Sequence, residues 1–300
     1  TKIDFSANDQ APNRHHDHHS LFQQVGDLTG GLLRQYRAIP ELARILTHMS
    51  TSALRGLEDN MRLPFTAPRS IINAELDSRR HFVTCDLPLN SVRKMAHQMG
   101  GSINDVLLSV CGAALREYLL GQDALPRSSL VAGMPVSLKS DSDSHGNKLS
   151  YMVSPFFTNE PDPLKRLQRV IRTNTAAKKE LNSISITAAE DFYALLMAPT
   201  ILLTVTGNAT RIRPGVNAIF SNVPGSRERL YMEGAELEAL YPFSIVSDGM
   251  GLNITVVSHA NKLCFAIASC PTGMPGIEQL DKLLKSSFRE LREAVKEYCN

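Results

Sequence analysis

The chain has 300 residues, 43% hydrophobic and 21% charged, which is a globular balance and not a disordered one. Lys and Arg number 32 against 30 Asp and Glu, and the formal charge of +2 argues against a broad nucleic-acid surface while leaving room for a local basic patch. The length suits two domains or one large one, and the chain opens on Thr1 without an initiator Met, so a piece of something longer is expected.

Residues 1–20 are polar and include Arg14-His15-His16-Asp17-His18-His19. They read as an exposed linker, since ligands so close on a free strip lack the fixed geometry and outer support of a metal site. Residues 21–57 read as helical, broken at Gly30-Gly31 and Pro40, with Leu42, Ile45, Leu46 and Met49 at helical spacing. Arg34, Arg37, Arg44 and Arg55 mark a solvent or interface face of that segment. Pro64 and Pro68 bracket a break. Residues 81–87 then read as a strand, and Asn90 as the cap of a short helix that Gly100-Gly101 ends.

The clearest helix is 102–120. Ser102 is its N-cap, with Asp105 three residues on as an acidic form of the capping box, placed at the positive end of the helix dipole. Val106 onward is apolar on most faces, which predicts deep burial. Ser109, Cys111, Gly112, Ala113 and Ala114 are small enough for close approach, and Gly121 is the expected stop.

Strands are predicted at 130–137, 151–157 and 217–223, with a polar loop at 140–147. An amphipathic helix is predicted at 161–181 with Pro163 in its first turn, and an apolar one at 188–205. Extended structure is expected within 237–246. Residues 252–259 and 263–269 alternate about Ala260-Asn261, a β-hairpin signal, and 275–298 is an amphipathic helix. Helices and strands are mixed, so the class is α/β.

The five cysteines (Cys85, Cys111, Cys264, Cys270 and Cys299) form no CxxC pair and fit buried free thiols in a reducing compartment. No signal peptide is expected from the opening residues, and the best membrane candidate, 192–205, has helix-core length and contains Pro199. GxGxxG after a strand, GxxxxGK[ST], HExxH and GxSxG are all missing, which removes the main support for nucleotide-binding, metalloprotease and hydrolase readings.

Three polar constellations stand out. Asn104-Asp105 opens the buried helix; a capped terminus explains it, and so does bracing of a neighbouring loop. Ser221-Asn222-Val223-Pro224-Gly225 ends an apolar strand, where a hydrogen-bonded turn and an oxyanion-orienting element are equally open. Ser247-Asp248-Gly249-Met250-Gly251-Leu252-Asn253 enters the hairpin as a loop or a site.

In order and spacing, Ile103-Asn104-Asp105-Val106-Leu107-Leu108, Met134-Pro135-Val136-Ser137, Gly146-Asn147, Ser221-Asn222-Val223-Pro224-Gly225 and Gly251-Leu252-Asn253-Ile254-Thr255-Val256 resemble the bacterial wax ester synthase/diacylglycerol acyltransferase family over residues 60–298. The resemblance implies a chloramphenicol-acetyltransferase-like fold, two subdomains with mixed sheets flanked by helices, facing each other across a tunnel. On this reading residues 1–60 are a linker and helical segment ending the N-terminal subdomain, and 61–300 are the C-terminal acyltransferase subdomain.

The implied reaction carries a fatty acyl group from acyl-CoA, a co-substrate, to a long-chain alcohol or diacylglycerol, with no metal and no cofactor. The family's general base is a His in HHxxxDG. That motif does not occur in this chain: Ser20-Leu21 and Gln23-Gln24 stand where His15-His16 and His18-His19 would need Asp-Gly, and Phe243-Ser244 stand where Asp248-Gly249 would need two His. The expectation is that the chain begins after the catalytic motif, its missing upstream segment being a partner; a degenerate relative is the alternative. No catalytic residue is assigned. The resemblance makes Asn104 and Asp105 support for the active centre, and Ser221, Asn222, Val223, Pro224 and Gly225 the lining of a substrate tunnel.

Two further readings stay open: a non-catalytic protein of the same fold that holds acyl chains or a partner, and an unrelated CoA-thioester transferase using His145 or His259, the latter read as a strand-end surface residue. No nucleic-acid partner is expected. The implied location is cytoplasmic, with peripheral association at the inner membrane or lipid droplets open.

Overall fold

The computed structural model describes residues 67–137, 149–182, 202–203 and 206–300. In chain order these form β1 (His81–Pro88), α1 (Leu89–Gln98), α2 (Ile103–Gly121), β2 (Val131–Ser137), β3 (Leu149–Pro155), α3 (Pro163–Leu181), β4 (Ala218–Val223), β5 (Tyr231–Met232), β6 (Ala235–Glu236), β7 (Leu252–His259), β8 (Lys262–Ser269) and α4 (Gln279–Cys299). Six strands make one mixed sheet in the order β1-β8-β7-β4-β2-β3, and β5-β6 is a separate hairpin. The pairs β1–β8, β8–β7 and β2–β3 are antiparallel, while β7–β4 and β4–β2 are parallel.

One face of the sheet carries the helices. Val83, Cys85 and Leu87 of β1, Leu252, Ile254 and Val256 of β7, and Leu263, Phe265 and Ile267 of β8 alternate into one core with residues of all four helices. α2 packs against α1, α3 and α4, so its uniformly apolar sequence has a neighbour on most sides. Gly112 lets it approach the chain after β3: a Cβ there would lie 2.0 Å from the Phe156 carbonyl oxygen. In α4 the apolar stripe Leu280, Leu284, Phe288, Leu291 and Val295 is buried, each large side chain contributing about 1.5–3 kcal/mol of transfer free energy.

The capping box at α2 forms as its sequence indicates: Ser102 accepts from the Asp105 N–H, and Asp105 accepts from the Ser102 N–H. Three local expectations are corrected. Asn90 lies inside α1 and not at its cap; the Leu89 and Asn90 N–H groups donate instead to the carbonyl (3.0 Å) and side-chain oxygen (3.1 Å) of Asn261 in the β7–β8 turn. Gly121 is the last residue of α2, and the left-handed turn falls on Asp123 at φ 50°, which lets Ala124 N–H reach the Leu119 carbonyl. The C-terminal helix begins at Gln279, because Gly276 takes a positive φ of 67°.

Residues 237–246 contain no strand and form a strap over the second face of the sheet. That face carries polar side chains that hold the strap: Tyr241 donates to Asp86 (2.9 Å), Asn253 to the Ile245 carbonyl (3.2 Å), and Ser244 pairs with Thr255 (3.1 Å). Phe243 meets Phe82 edge-on at 4.6 Å between centroids. The expected linker, the four-His strip, the 21–57 segment, the 140–147 loop and most of the 188–205 helix lie outside the described residues.

Candidate functional site: a fork in the sheet beside the start of α2

The parallel ladder between β2 and β4 contains only Ala132↔Ala218 and Gly133↔Ile219. Pro135 follows two residues later on β2, with no N–H to extend a ladder on that side. β4 continues along β7 to Val223↔Val257. Beyond Gly133, therefore, β2 and β4 part while β4 stays bound to its other neighbour. The second half of β4 and the turn after it form one wall of this fork.

Ser221 and Asn222 occupy that wall, and strand alternation sends them to opposite faces. Asn222 turns toward the helices, where its Nδ2 donates to Asn104 Oδ1 at 2.5 Å. Ser221 turns toward the strap side, beside its register partner Thr255. Val223, Pro224 and Gly225 are exposed. Gly225 is required by close approach, because a Cβ would lie 2.0 Å from the Ser258 carbonyl oxygen; its N–H donates to Ser258 Oγ at 2.9 Å. The turn is thus stitched to β7.

Asp105 is buried behind Asn104. Its Oδ2 accepts from the Ser102 N–H (2.7 Å) and hydroxyl (2.6 Å), and its Oδ1 accepts from Asn174 Nδ2 of α3 (2.7 Å). A buried carboxylate is tolerable only when so satisfied. Lys178 Nζ, one helical turn beyond Asn174, donates to Ser102 Oγ at 3.4 Å. The start of α2, with the positive end of its dipole, is held rigidly against the fork. Such a place can bind and orient a carbonyl or a developing negative charge.

The structure joins two of the three constellations read from the sequence. The third is elsewhere: Asp248 accepts from the Leu76 N–H (2.8 Å), and Asn73 Nδ2 donates to the Gly249 carbonyl (2.6 Å), at the opposite end of β4 and β7. There the 247–253 segment helps line an open groove with Arg213, Pro214 and Val216. His259 is buried, not on the surface, and its Nε2 meets the Leu237 carbonyl at 2.6 Å, where it fastens the strap. His145 lies outside the described residues.

Sequence reasoning missed Asn174 and Asn217. Asn217 lies just before β4 and behaves as an extra strand residue: its N–H donates to the Val131 carbonyl, its Oδ1 accepts from the Val131 N–H, and its Nδ2 donates to the Pro68 carbonyl. An Asn immediately before an apolar strand was the only sequence signal. Asn174 carried none beyond being polar on the buried stripe of an amphipathic helix.

Two solved structures place the fold. A wax ester synthase/diacylglycerol acyltransferase from Marinobacter aquaeolei VT8 superposes with a TM-score of 0.68 at 27% identity, covering 85% of this chain and 57% of that one. The X-domain from teicoplanin biosynthesis, at 14% identity and a TM-score of 0.52 over 92% of this chain and 60% of its own, shows the fold alone. The protein is thus of the condensation-domain-like, chloramphenicol-acetyltransferase-like α/β class.

The wax ester synthase/diacylglycerol acyltransferase catalytic domain model matches residues 4–107, and the C-terminal domain model of the same family matches 145–292. A Mycobacterium tuberculosis protein named as a diacylglycerol O-acyltransferase is 36% identical over 91% of this chain and 59% of its own length. The O-acyltransferase WSD of Acinetobacter baylyi is 32% identical over 86% of this chain and 56% of its own. The chain belongs to the wax ester synthase/diacylglycerol acyltransferase family and spans somewhat under three fifths of the length of these two relatives.

Proposed function

We propose that the protein is an O-acyltransferase that moves a fatty acyl group from acyl-CoA to a long-chain alcohol or to diacylglycerol, and that the β2–β4 fork borders the transfer centre. Family membership supports the reaction class. The observation that carries the location is the Asn222–Asn104 hydrogen bond, which joins two motif elements 118 residues apart in the chain. Asn104 and Asp105 support the centre; Ser221, Asn222, Val223, Pro224 and Gly225 line the path of the acyl chain or the alcohol.

In the reaction a base takes the proton of the acceptor hydroxyl, the oxygen attacks the thioester carbon, the C–S bond breaks, and the CoA thiolate leaves and is protonated. The carbonyl oxygen gains charge on the way, which polar groups and a helix start at the fork can stabilise. The resemblance implies a His of HHxxxDG as base; the 300 residues contain no such motif, and none of them is assigned that role. The proposed reaction uses acyl-CoA as co-substrate and calls on no metal or further cofactor. Its substrates partition into lipid, so the proposed setting is the cytoplasm with peripheral contact at the inner membrane or lipid droplets. Among the described residues no helix is long and apolar enough to cross a membrane.

The test is turnover by the protein expressed whole from its own gene. With palmitoyl-CoA and hexadecanol or dioleoylglycerol it should release CoA and form ester visible by thin-layer chromatography. Asn222→Leu, which removes the link to Asn104, should cut turnover by at least about 10-fold through misplacement. The alternative is a non-catalytic relative of the same fold that holds acyl chains or a partner. Binding of palmitoyl-CoA without ester would select that reading, and neither binding nor ester would overturn both.

A further inference from the structure

Asn174 is wholly buried on α3. Its Nδ2 donates to Asp105 Oδ1 at 2.7 Å, and among the described residues nothing donates to its own Oδ1. Its geometric effect is large. Ser102 alone holds Asp105 through one oxygen, about which the carboxylate can pivot; Asn174 grips the second oxygen from a different helix and fixes the rotation.

Contact between the two helices is close at this point. A Cβ on Gly101 would lie 2.7 Å from Ile171, one turn before Asn174. Asp105 sets the first turn of α2, and Asn104 in that turn meets Asn222. Two polar contacts, Asn174 with Asp105 and Asn104 with Asn222, are therefore joined through the backbone of the first turn of α2, between α3 and the end of β4.

We infer that Asn174 is a positioning residue for acyl transfer: through Asp105 it sets the placement of Asn104 against Asn222 at the fork. This rests on the acyl-transfer reading above. Asn174 touches no substrate in this scheme and acts only through the carboxylate.

The test uses the whole protein at a temperature where every variant is folded, with kcat and KM for palmitoyl-CoA measured beside the melting temperature. Asn174→Ser shortens the side chain so that it no longer reaches Asp105, and should lower kcat by about 10- to 100-fold with KM nearly unchanged. The exchange Asp105→Asn with Asn174→Asp reverses donor and acceptor. The carboxamide then standing at the start of α2 can accept from Ser102 through its oxygen and donate through its nitrogen to the carboxylate on α3, so kcat should recover to within a few-fold of wild type. A lowered melting temperature with kcat held within two-fold in Asn174→Ser, or an exchange that restores melting but not kcat, overturns the inference. Absence of ester formation by the wild-type protein would instead overturn the acyl-transfer reading, and is told apart by that control.

Discussion

Replacing a helical glycine by alanine ordinarily stabilises, by about 1 kcal/mol in a helix interior. Gly112→Ala in α2 should do the opposite. The added Cβ would stand 2.0 Å from the Phe156 oxygen and 3.0 Å from its carbonyl carbon, both backbone atoms that no rotamer change can move. That stretch of chain is also pinned: Phe156 N–H donates to the Leu130 carbonyl (2.9 Å), Arg116 donates to the Thr158 carbonyl (2.9 Å), and Leu130 N–H donates to Thr158 Oγ1 (3.0 Å). α2 must therefore retreat by more than an ångström in a core with no slack. Overpacking of this kind costs about 1–3 kcal/mol, and a backbone clash belongs at the upper end. Set against the propensity gain, the net loss is about 1–2 kcal/mol, a fall in Tm of roughly 2–8 °C for a chain of this size. Gly121→Ala is the internal control: nothing lies within 4 Å of its Cβ position, so the same exchange at the end of the same helix should stabilise by about 0.5 kcal/mol. Differential scanning calorimetry of the two variants decides it. A Gly112→Ala protein that melts at or above wild type would refute the packing described for α2 and residue 156.

Burial and the neighbouring Asp281 push the Cys85 thiol up to about 12, burial also raises Cys111 and Cys264, and Cys270 is buried while Cys299 is exposed. Iodoacetamide at pH 8 should accordingly label Cys299 alone in the native protein and all five thiols after denaturation, read by mass spectrometry of peptides. The Arg79 guanidinium, helped by the Thr272 hydroxyl, holds the Asp77 carboxyl well below the usual carboxylate range. Its contribution to stability is therefore complete above the unfolded-state value near about 3.9 and is lost as pH falls from there through the lower folded value. Urea melts at pH 5 and pH 3 should show a smaller acid-induced loss in Asp77→Asn than in wild type; an equal loss in both would assign the acid sensitivity elsewhere.

Signals confined to one stretch of chain were legible in the sequence. Alternation on both sides of Ala260-Asn261 marks β7 and β8, since both strands and their turn are contiguous. Ser102 and Asp105 mark the start of α2 because a capping box spans four residues. Illegible features were those in which one partner lies far away. Asn261 caps α1 from a turn 171 residues beyond Asn90, so Asn90, the nearer and more usual cap, drew the reading instead. Residues 237–246 carry enough apolar side chains to suggest a strand, yet their bonds go to side chains of the sheet's second face and not to a backbone ladder. The fork shows the same limit. Asn104-Asp105 and Ser221-Asn222 were each visible as polar marks at element ends, but their meeting depends on β4 lying parallel to β7, and Asn174 becomes visible only once α3 has been packed.

Among the described residues the edge strand β1 pairs only with β8, His81 opposite Ser269, and the helix that follows β1 borrows its cap from the same hairpin. During synthesis the first strand of the sheet must therefore wait for roughly 190 further residues, about 10–40 s at 5–20 residues per second. Throughout that interval Val83, Cys85 and Leu87 lack the β8 neighbours Ile267, Phe265 and Leu263 that they face in the folded sheet. A stop codon ahead of residue 261 removes more than a tail: it leaves β1 without its β8 neighbour and α1 without its cap, so loss of the last strand and helix should be felt near residue 81 as well.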